Sequence, residues 1–338
     1  MKALVTGGGG FLGGAIVRQL LARGDAVRSF SRGDYPALRA LGVETVRGDL
    51  ADGDALASAV TGCDVVFHVA ALANLTGPYR AFREVNVVGT RHVIEACRRA
   101  GVRRLVFTSS PSVVFAGRDQ EGVDESVPYP ERSLAHYPRT KAEAERIVLQ
   151  ANGPDFATVA LRPHLIWGPG DTHLVPGLVA RSRAGTLRLI GSGEKRVDTV
   201  YIANAAEAHL LAAERLAPEP GNPVAGKAYF ITNGEPLPLR EIVNRILDAA
   251  GAPRVTRSVL PWLAYGAGAV LEFLHWVGGG KNDPAITRFA ARQLATAHWF
   301  DLSAARRDLG YEPRVSIDEG MGRLRESLRG PGETETKL

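Results

Sequence analysis

The sequence predicts an α/β chain, a doubly wound parallel sheet with a smaller, interleaved C-terminal substrate region. Short β-branched or apolar runs alternate with helix-like stretches through the first half. Those runs are too continuous for a sheet with one wet face, so helices should cover both faces. After Trp167 the texture breaks into Gly- and Pro-punctuated segments that read as loops joining smaller elements. The length, 338 residues, suits one large domain or two closely associated ones.

Taken in order, strands are expected at Ala3–Thr6, Ala26–Phe30, Thr45–Val46, Val65–Phe67, Leu105–Thr108 and Thr158–Leu161. Helical patterns follow most of them, at Phe11 to Arg23, Asp52 to Val60, Tyr79 to Arg99 and Leu134 to Gln150. Arg23-Gly24-Asp25 and Asn152-Gly153-Pro154 are the turn signals that close two of these helices. Val197 to Ile202 and Ala228 to Thr232 look like strands that return to the main sheet. The expected division is therefore a nucleotide-binding unit of 1–166 with 197–233, a substrate region of 167–196 with 234–330, and a flexible polar tail of 331–338.

Composition excludes several classes. An apolar share of 45% with 23% charged residues is ordinary globular usage, not that of a disordered, collagen-like or disulfide-scaffold chain. Lys and Arg number 41 against 36 Asp and Glu, and the surplus of +5 is scattered, so no nucleic-acid partner is expected. Cys63 and Cys97 lie in apolar stretches without metal-binding spacing; both should be reduced core residues, and no metal is expected. The chain reaches a glycine run by Gly7 with no apolar leader before it, so a cytoplasmic setting is expected. Val259 to Val277 resembles a membrane span in length, but Glu272, His275 and two internal glycines argue against one.

The glycine run carries the first chemistry. Thr6-Gly7-Gly8-Gly9-Gly10-Phe11-Leu12-Gly13 follows a strand and opens a helix, the context of a Rossmann-type dinucleotide turn. Gly7, Gly10, Phe11, Leu12 and Gly13 are its expected contacts, with the pyrophosphate at the helix N-terminus. An acidic residue at the end of the second strand would hold a free ribose 2′-hydroxyl, but the sequence there reads Ser29-Phe30-Ser31-Arg32. Ser31 and Arg32 suit a 2′-phosphate, which favours NADP(H) over NAD(H). Asp34 is the competing ribose partner, and Asp49 is either an acceptor for the adenine amino group or a helix cap.

Tyr137-Pro138-Arg139-Thr140-Lys141 puts a phenol and an ammonium four residues apart on one helix face. A nearby cation would lower the phenol pKa from ~10 and tune Tyr137 as general acid for a carbonyl being reduced. Ser109-Ser110 ends the fifth strand, where open parallel sheets place reactive groups.

With these motifs, His68-Val-Ala-Ala71, Asn86-Val-Val-Gly-Thr90 and Leu161-Arg-Pro163, the chain resembles the extended short-chain dehydrogenase/reductases, within them the 3β-hydroxysteroid dehydrogenase-like branch. The resemblance implies that Ser110 polarises the substrate carbonyl, Tyr137 passes the proton, and Lys141 binds the nicotinamide ribose while tuning Tyr137. It prefers Ser110 over Thr108, Ser109 and Ser112, and it adds Leu50, Ala70 and Pro163, with Tyr137 and Lys141, to the cofactor's surroundings. Homodimers are common in such folds through helices like Tyr79 to Arg99 and Leu134 to Gln150.

A closer similarity runs through Thr108–Val113, Leu161–Asp171, Ala228–Pro238 and Arg306–Tyr311, to the bacterial 2-alkyl-3-oxoalkanoate reductases of long-chain olefin and β-lactone biosynthesis. It implies NADPH-dependent reduction of the 3-keto group of a long-chain 2-alkyl-3-oxoalkanoic acid. The alternatives are a 3β-hydroxysteroid or sterol-4α-carboxylate dehydrogenase using NAD(P), a nucleotide-sugar epimerase, and a non-catalytic NADP sensor. One departure is Ala203, where many relatives carry an acidic residue.

Val259 to Val277 spaces Leu260, Leu263, Ala267, Val270, Leu271, Leu274 and Val277 as one helical face, with tryptophans near both ends. It reads as a core helix, a mobile lid hinged at Gly278-Gly279-Gly280, or a helix lying at a membrane surface. A lipid-like substrate, peripheral membrane contact and a complex with neighbouring pathway enzymes go with that reading. His164, Lys195 and Arg196 are candidates to hold a substrate carboxylate.

Overall fold

Residues 1–74, 76–278 and 284–329 are described by the computed structural model. Seven parallel strands form the centre: β1 (Lys2–Thr6), β2 (Ala26–Ser31), β3 (Glu44–Arg47), β4 (Val65–His68), β5 (Arg104–Thr108), β6 (Ala157–Pro163) and β7 (Lys227–Ile231). Their spatial order is β7-β6-β5-β4-β1-β2-β3. Between β1 and β4 the winding reverses, so the connections leave in opposite directions and open a crevice at the carboxyl ends of both strands.

Both faces of the sheet are dry, which explains the unbroken apolar runs. Alternate residues divide between them: Ala3, Val5, Val65 and Phe67 pack with α1 (Phe11–Ala22) and the helix Ile202–Arg215 on one side. Leu4, Val66, Leu105 and Phe107 pack with α2 (Gly53–Val60), α3 (Gly89–Arg99) and α4 (His136–Gln150) on the other. Cys63 and Cys97 are free and buried in this second layer.

The helix expected over Tyr79 to Arg99 is present, but Arg83–Val88 is wound as a π-helix between Tyr79–Phe82 and α3. Such widened turns accumulate at functional sites, and here Asn86 lies inside one. Ala228 to Thr232 returns to the main sheet as expected, in β7 beside β6. Val197 to Ile202 does not. Arg196–Val197 joins a separate four-stranded sheet with Leu237–Pro238, His298–Phe300 and Gln120–Val123, and Val200–Tyr201 pairs with Ile166–Trp167. Ile202 already begins a helix, so the run is too short to reach across to the main sheet.

The C-terminal region adds a helical hood, α5 (Pro261–Gly278) and α6 (Arg288–Leu294). A short parallel ribbon of Leu189–Ile190 and Ser258–Val259 leads into α5. Among the described residues no helix is long and apolar enough to cross a membrane. Gly279, Gly280 and the expected tail, 331–338, lie outside the described residues.

Candidate active site

A cleft of about 510 Å³ occupies the crevice at the switch point. Gly7, Gly10, Phe11, Leu12, Gly13, Ser31, Arg32, Asp49, Leu50, Ala70, Tyr137 and Lys141 all line it, as do Thr108, Ser109 and His173. Pro163, also expected there, is buried in β6 opposite Ile231 and is not among the lining residues.

The turn after β1 is closed too tightly for side chains. Gly7 has φ +72°, and a Cβ on Gly13 would lie 2.2 Å from the Gly7 carbonyl oxygen. That contact lets α1 begin against the turn. Gly10 caps the helix without a side-chain hydrogen bond, and no acidic residue stands in the first turn. The N–H groups of Phe11, Leu12 and Gly13 thus face a site suited to a phosphate anion.

A buried hydrogen-bond chain fixes the floor. The Thr6 Oγ1 accepts from the N–H groups of Val69 and Ala70, each at 3.1 Å, and its own proton goes to His68 Nδ1 at 2.9 Å. His68 Nε2 reaches Thr90 Oγ1 at 3.0 Å, and the Thr90 hydroxyl donates to the Asn86 carbonyl at 2.7 Å. With the Thr90 proton committed, His68 must donate from Nε2 and accept at Nδ1, the neutral form. Burial, and then the charge of Lys141, push its pKa down to about 3, in agreement. Asn86 joins both amide atoms to the backbone of Leu72 and donates to Thr140 Oγ1, tying the loop after β4 to α4. Sequence reasoning quoted these motifs without seeing this role.

At the adenosine end, the Ser31 Oγ is buried with no hydrogen-bond partner among the described residues, and Arg32 is exposed on the cleft wall. Asp34, the competing ribose ligand, is engaged by Arg39, which holds its carboxyl below the usual range, and it does not line the cleft. Asp49 accepts from the Ala51 N–H at 2.9 Å, while the cap of α2 is Asp52, bonded to Ala55 N. The glycine cradle, the free helix terminus and the unpartnered Ser31 hydroxyl together fit a nicotinamide dinucleotide.

At the other end, four hydroxyls lie at or just beyond the end of β5. Thr108 Oγ1 bonds His209 Nε2 at 2.9 Å, and the buried Ser109 Oγ has no hydrogen-bond partner among the described residues. Ser112 donates to Ser110 Oγ at 3.0 Å, and Ser110 meets the Tyr137 phenol. Lys141 is buried; its Nζ donates to the Thr108 carbonyl at 2.6 Å and lies 4.0 Å from the Phe107 ring centre. Burial pushes its pKa down to about 7, opposed by the charge of Glu145.

The Tyr137 phenol departs from the sequence expectation. Burial raises its pKa, and what pulls the other way is the Ser110 hydrogen bond, not the Lys141 charge. Spacing put the two side chains on one face, but the ammonium is drawn to the strand carbonyl beneath.

One further ion pair supports α4. Glu145, fully buried, binds Arg162 of β6 at 2.6 and 3.0 Å and accepts from the Tyr129 hydroxyl at 2.6 Å. Burial would raise its carboxyl, but Arg162 holds it below its ordinary value. The three carboxylate candidates do not line the cleft. His164 is buried and pushed well below its ordinary pKa by burial and by His298; Lys195 binds Asp119, and Arg196 donates to the Pro236 carbonyl at 3.1 Å. His173, which sequence reasoning passed over, is the histidine that does line it.

The chain is 54% identical over 329 residues to the 2-alkyl-3-oxoalkanoate reductase of Stenotrophomonas maltophilia, covering 97% of this chain and 99% of that one. The protein of the same name from Shewanella oneidensis is 49% identical, over 96% of this chain and 86% of its own. In structure the chain is similar to a dTDP-glucose 4,6-dehydratase variant of Streptomyces venezuelae solved with NAD bound, with a TM-score of 0.76 at 26% identity over 98% of both chains. The 3-beta hydroxysteroid dehydrogenase/isomerase family matches residues 4–262, and with it and the full-length relatives in hand, the chain belongs to that family of NAD(P)-dependent oxidoreductases.

Proposed function

We propose that the chain reduces the 3-keto group of a long-chain 2-alkyl-3-oxoalkanoic acid to the 2-alkyl-3-hydroxy acid, with NADPH as the hydride source. The observation that carries this is the cleft itself, where Tyr137 and Lys141 face the glycine turn, taken with the full-length similarity to reductases of that name. The bound nicotinamide would supply a hydride to the carbonyl carbon. Tyr137 would give its phenolic proton to the carbonyl oxygen. A raised phenol pKa suits that direction, because the group stays protonated at neutral pH and available as a donor. Ser110, which adjoins the phenol but does not itself line the cleft, would polarise the carbonyl, and Lys141 would hold the nicotinamide ribose.

NADPH over NADH rests on the orphaned Ser31 hydroxyl, the exposed Arg32 and the neutralisation of Asp34 by Arg39. His173 is the cleft side chain best suited to face the substrate carboxylate. A homodimer, a cytoplasmic setting consistent with two free cysteines, and contact with neighbouring pathway enzymes complete the proposal.

Nicotinamide absorbance tests it in the oxidative direction, with a 2-alkyl-3-hydroxy acid and NADP, beside a 3β-hydroxysterol carboxylate and NAD. Turnover of the branched acid with NADP is expected. Turnover of the sterol alone, with NAD, would move the activity to the steroid branch. Tyr137→Phe should lower turnover by about 10²–10⁴-fold while cofactor binding, read by fluorescence, persists; unchanged turnover would remove Tyr137 from the chemistry.

A further inference from the structure

Helix α5 turns an uncharged apolar stripe to solvent. Trp262, Leu263, Val270, Phe273, Leu274 and Val277 are each between 44% and 68% exposed, and their spacing keeps them within about a third of the helix circumference. Exposed Gly266 and Ala267 fill the stripe between them. The three ionisable groups of the helix face elsewhere, Tyr265 with the Arg292 guanidinium 5.0 Å from its ring centre. Glu272 binds the backbone and side chain of Arg288, at 2.7 and 2.6 Å, and His275 reaches Thr76 at 3.4 Å. The opposite side is packed: Ala264 is buried, and a Cβ on Gly268 would lie 2.8 Å from the backbone at Thr287 and Arg288. The stripe is therefore the outer surface of a seated helix, not the core side of a displaced one.

Cations stand beside its N-terminal end. Arg188 and Arg257 immediately precede two paired strands, Leu189–Ile190 and Ser258–Val259, so the ribbon brings them side by side three residues before Leu260. They line a hollow of about 220 Å³ with Arg254, whose guanidinium is already paired with Asp248 at 2.7 Å, so Arg188 and Arg257 carry the open positive charge. All three are exposed, and the Arg257 guanidinium has no hydrogen-bond or ion-pair partner among the described residues.

We infer that α5 and this arginine cluster dock the protein on an anionic lipid surface, the stripe entering the headgroup layer and the arginines meeting lipid phosphates. Charge selects this occupant: an acid-free apolar face flanked by arginines is complementary to a negatively charged interface, and such helices lie in its plane. The contact also leads to the chemistry. His275 touches the loop after β4, whose Ala71 and Ala73 line the cleft. A substrate with two alkyl chains would pass from the lipid to Tyr137 past that loop; this purpose rests on the proposed lipid reduction, whereas docking itself does not.

Vesicle flotation of the full chain, without substrate or cofactor, tests it. The protein should float with vesicles of phosphatidylcholine containing about a third phosphatidylglycerol, and less with phosphatidylcholine alone or in high salt. The pair Val270→Ser and Leu274→Ser, both at exposed positions, should weaken binding more than about tenfold. Arg257→Glu should weaken it several-fold and reduce the salt dependence. Circular dichroism and activity on a short-chain, soluble hydroxy acid check that the variants remain folded. No flotation with either vesicle, or equal flotation of the serine pair, overturns the inference. So does a shift from dimer to monomer in the serine pair, which would show a second copy covering the stripe. Because flotation needs no turnover, its failure is distinct from failure of the reductase reading.

Discussion

The turn after β1 and the hood helix α5 are both rich in glycine and apolar residues, and they use them in opposite ways. In the turn, glycines let backbone meet backbone, and the neighbouring apolar side chains are sealed: Leu4, Val5 and Ile16 have no exposed surface. On α5, Gly266 has nothing among the described residues within 4 Å of where a Cβ would stand, and the apolar side chains around it face outward. The first region is determined from inside by packing, and the second by whatever lies outside it. A glycine or a leucine thus carries meaning only with its surroundings.

The largest expected effect distinguishes the two halves by acid. Burial holds His68 at a pKa of about 3 and His209 at about 4, both in the cofactor half, and His298, in the second sheet, at about 4. Each is depressed below its unfolded value near 6.5. Between these values the unfolded chain binds a proton that the folded chain refuses, so stability falls as pH drops from about 7 toward 4. Each histidine removes about 2 kcal/mol by pH 5. Asp198, beside His298 and raised by burial to about 6, works in reverse: its folded form takes the proton first, so it gains stability over the same fall. In the cofactor half burial also raises Glu125 and Glu207, which offset part of the loss there, but neither adjoins His68. Urea titrations from pH 7 to pH 5 should show a loss of several kcal/mol, and His209→Gln should flatten the slope more than the double change His298→Gln with Asp198→Asn. A flat profile would break the comparison.

A single substitution made in both regions comes next. Gly13→Ala pushes a Cβ into the Gly7 carbonyl and should cost about 1–3 kcal/mol together with most cofactor affinity. Gly266→Ala meets open space in a helix interior and should stabilise by about 0.5–1 kcal/mol. Melting temperature and NADPH titration read both, and the two signs should be opposite.

This contrast also explains what was legible in the sequence. The glycine turn, the strand-helix alternation and the Ser31-Arg32 step depend on local backbone needs and on fixed offsets along one βαβ unit, so residue order reveals them. The second sheet does not show itself, because its strands are two to four residues long and pair across the chain, as His298–Phe300 does with Gln120–Val123. Tyr137 and Lys141 were legible as a pair, but the direction of the phenol's pKa was not, since helical spacing carries no information about burial or about the Thr108 carbonyl that takes the ammonium. Glu145 reads in sequence as one more charge on a surface helix; only β6 packed beneath it reveals the ion pair with Arg162. Periodicity displayed the stripe of α5 without telling which way it faces.

A smaller effect sharpens the cofactor half. If Arg32 meets a 2′-phosphate, Arg32→Ala should lower the ratio of kcat/KM for NADPH over NADH by about tenfold or more, the worth of a charge-assisted hydrogen bond. Fold and NADH turnover should be little changed, since Arg32 is exposed and its contact with Arg47 runs through the backbone carbonyl. An unchanged ratio would return Asp34 and a free ribose to consideration.

The smallest effect is the most telling for the hood. Val270→Ser should alter stability by no more than about 0.5 kcal/mol, because its side chain is already 58% exposed and loses little packing. A buried valine such as Val17, in α1, would lose far more on the same change, having no exposed surface to begin with. The measurement therefore reports on what covers α5 in solution. A near-zero change that does not vary with protein concentration means a face open to solvent and free for a lipid surface. A cost above about 1 kcal/mol that grows with concentration means that a second copy already buries it, and the region would then be packed from outside as tightly as the glycine turn is from within.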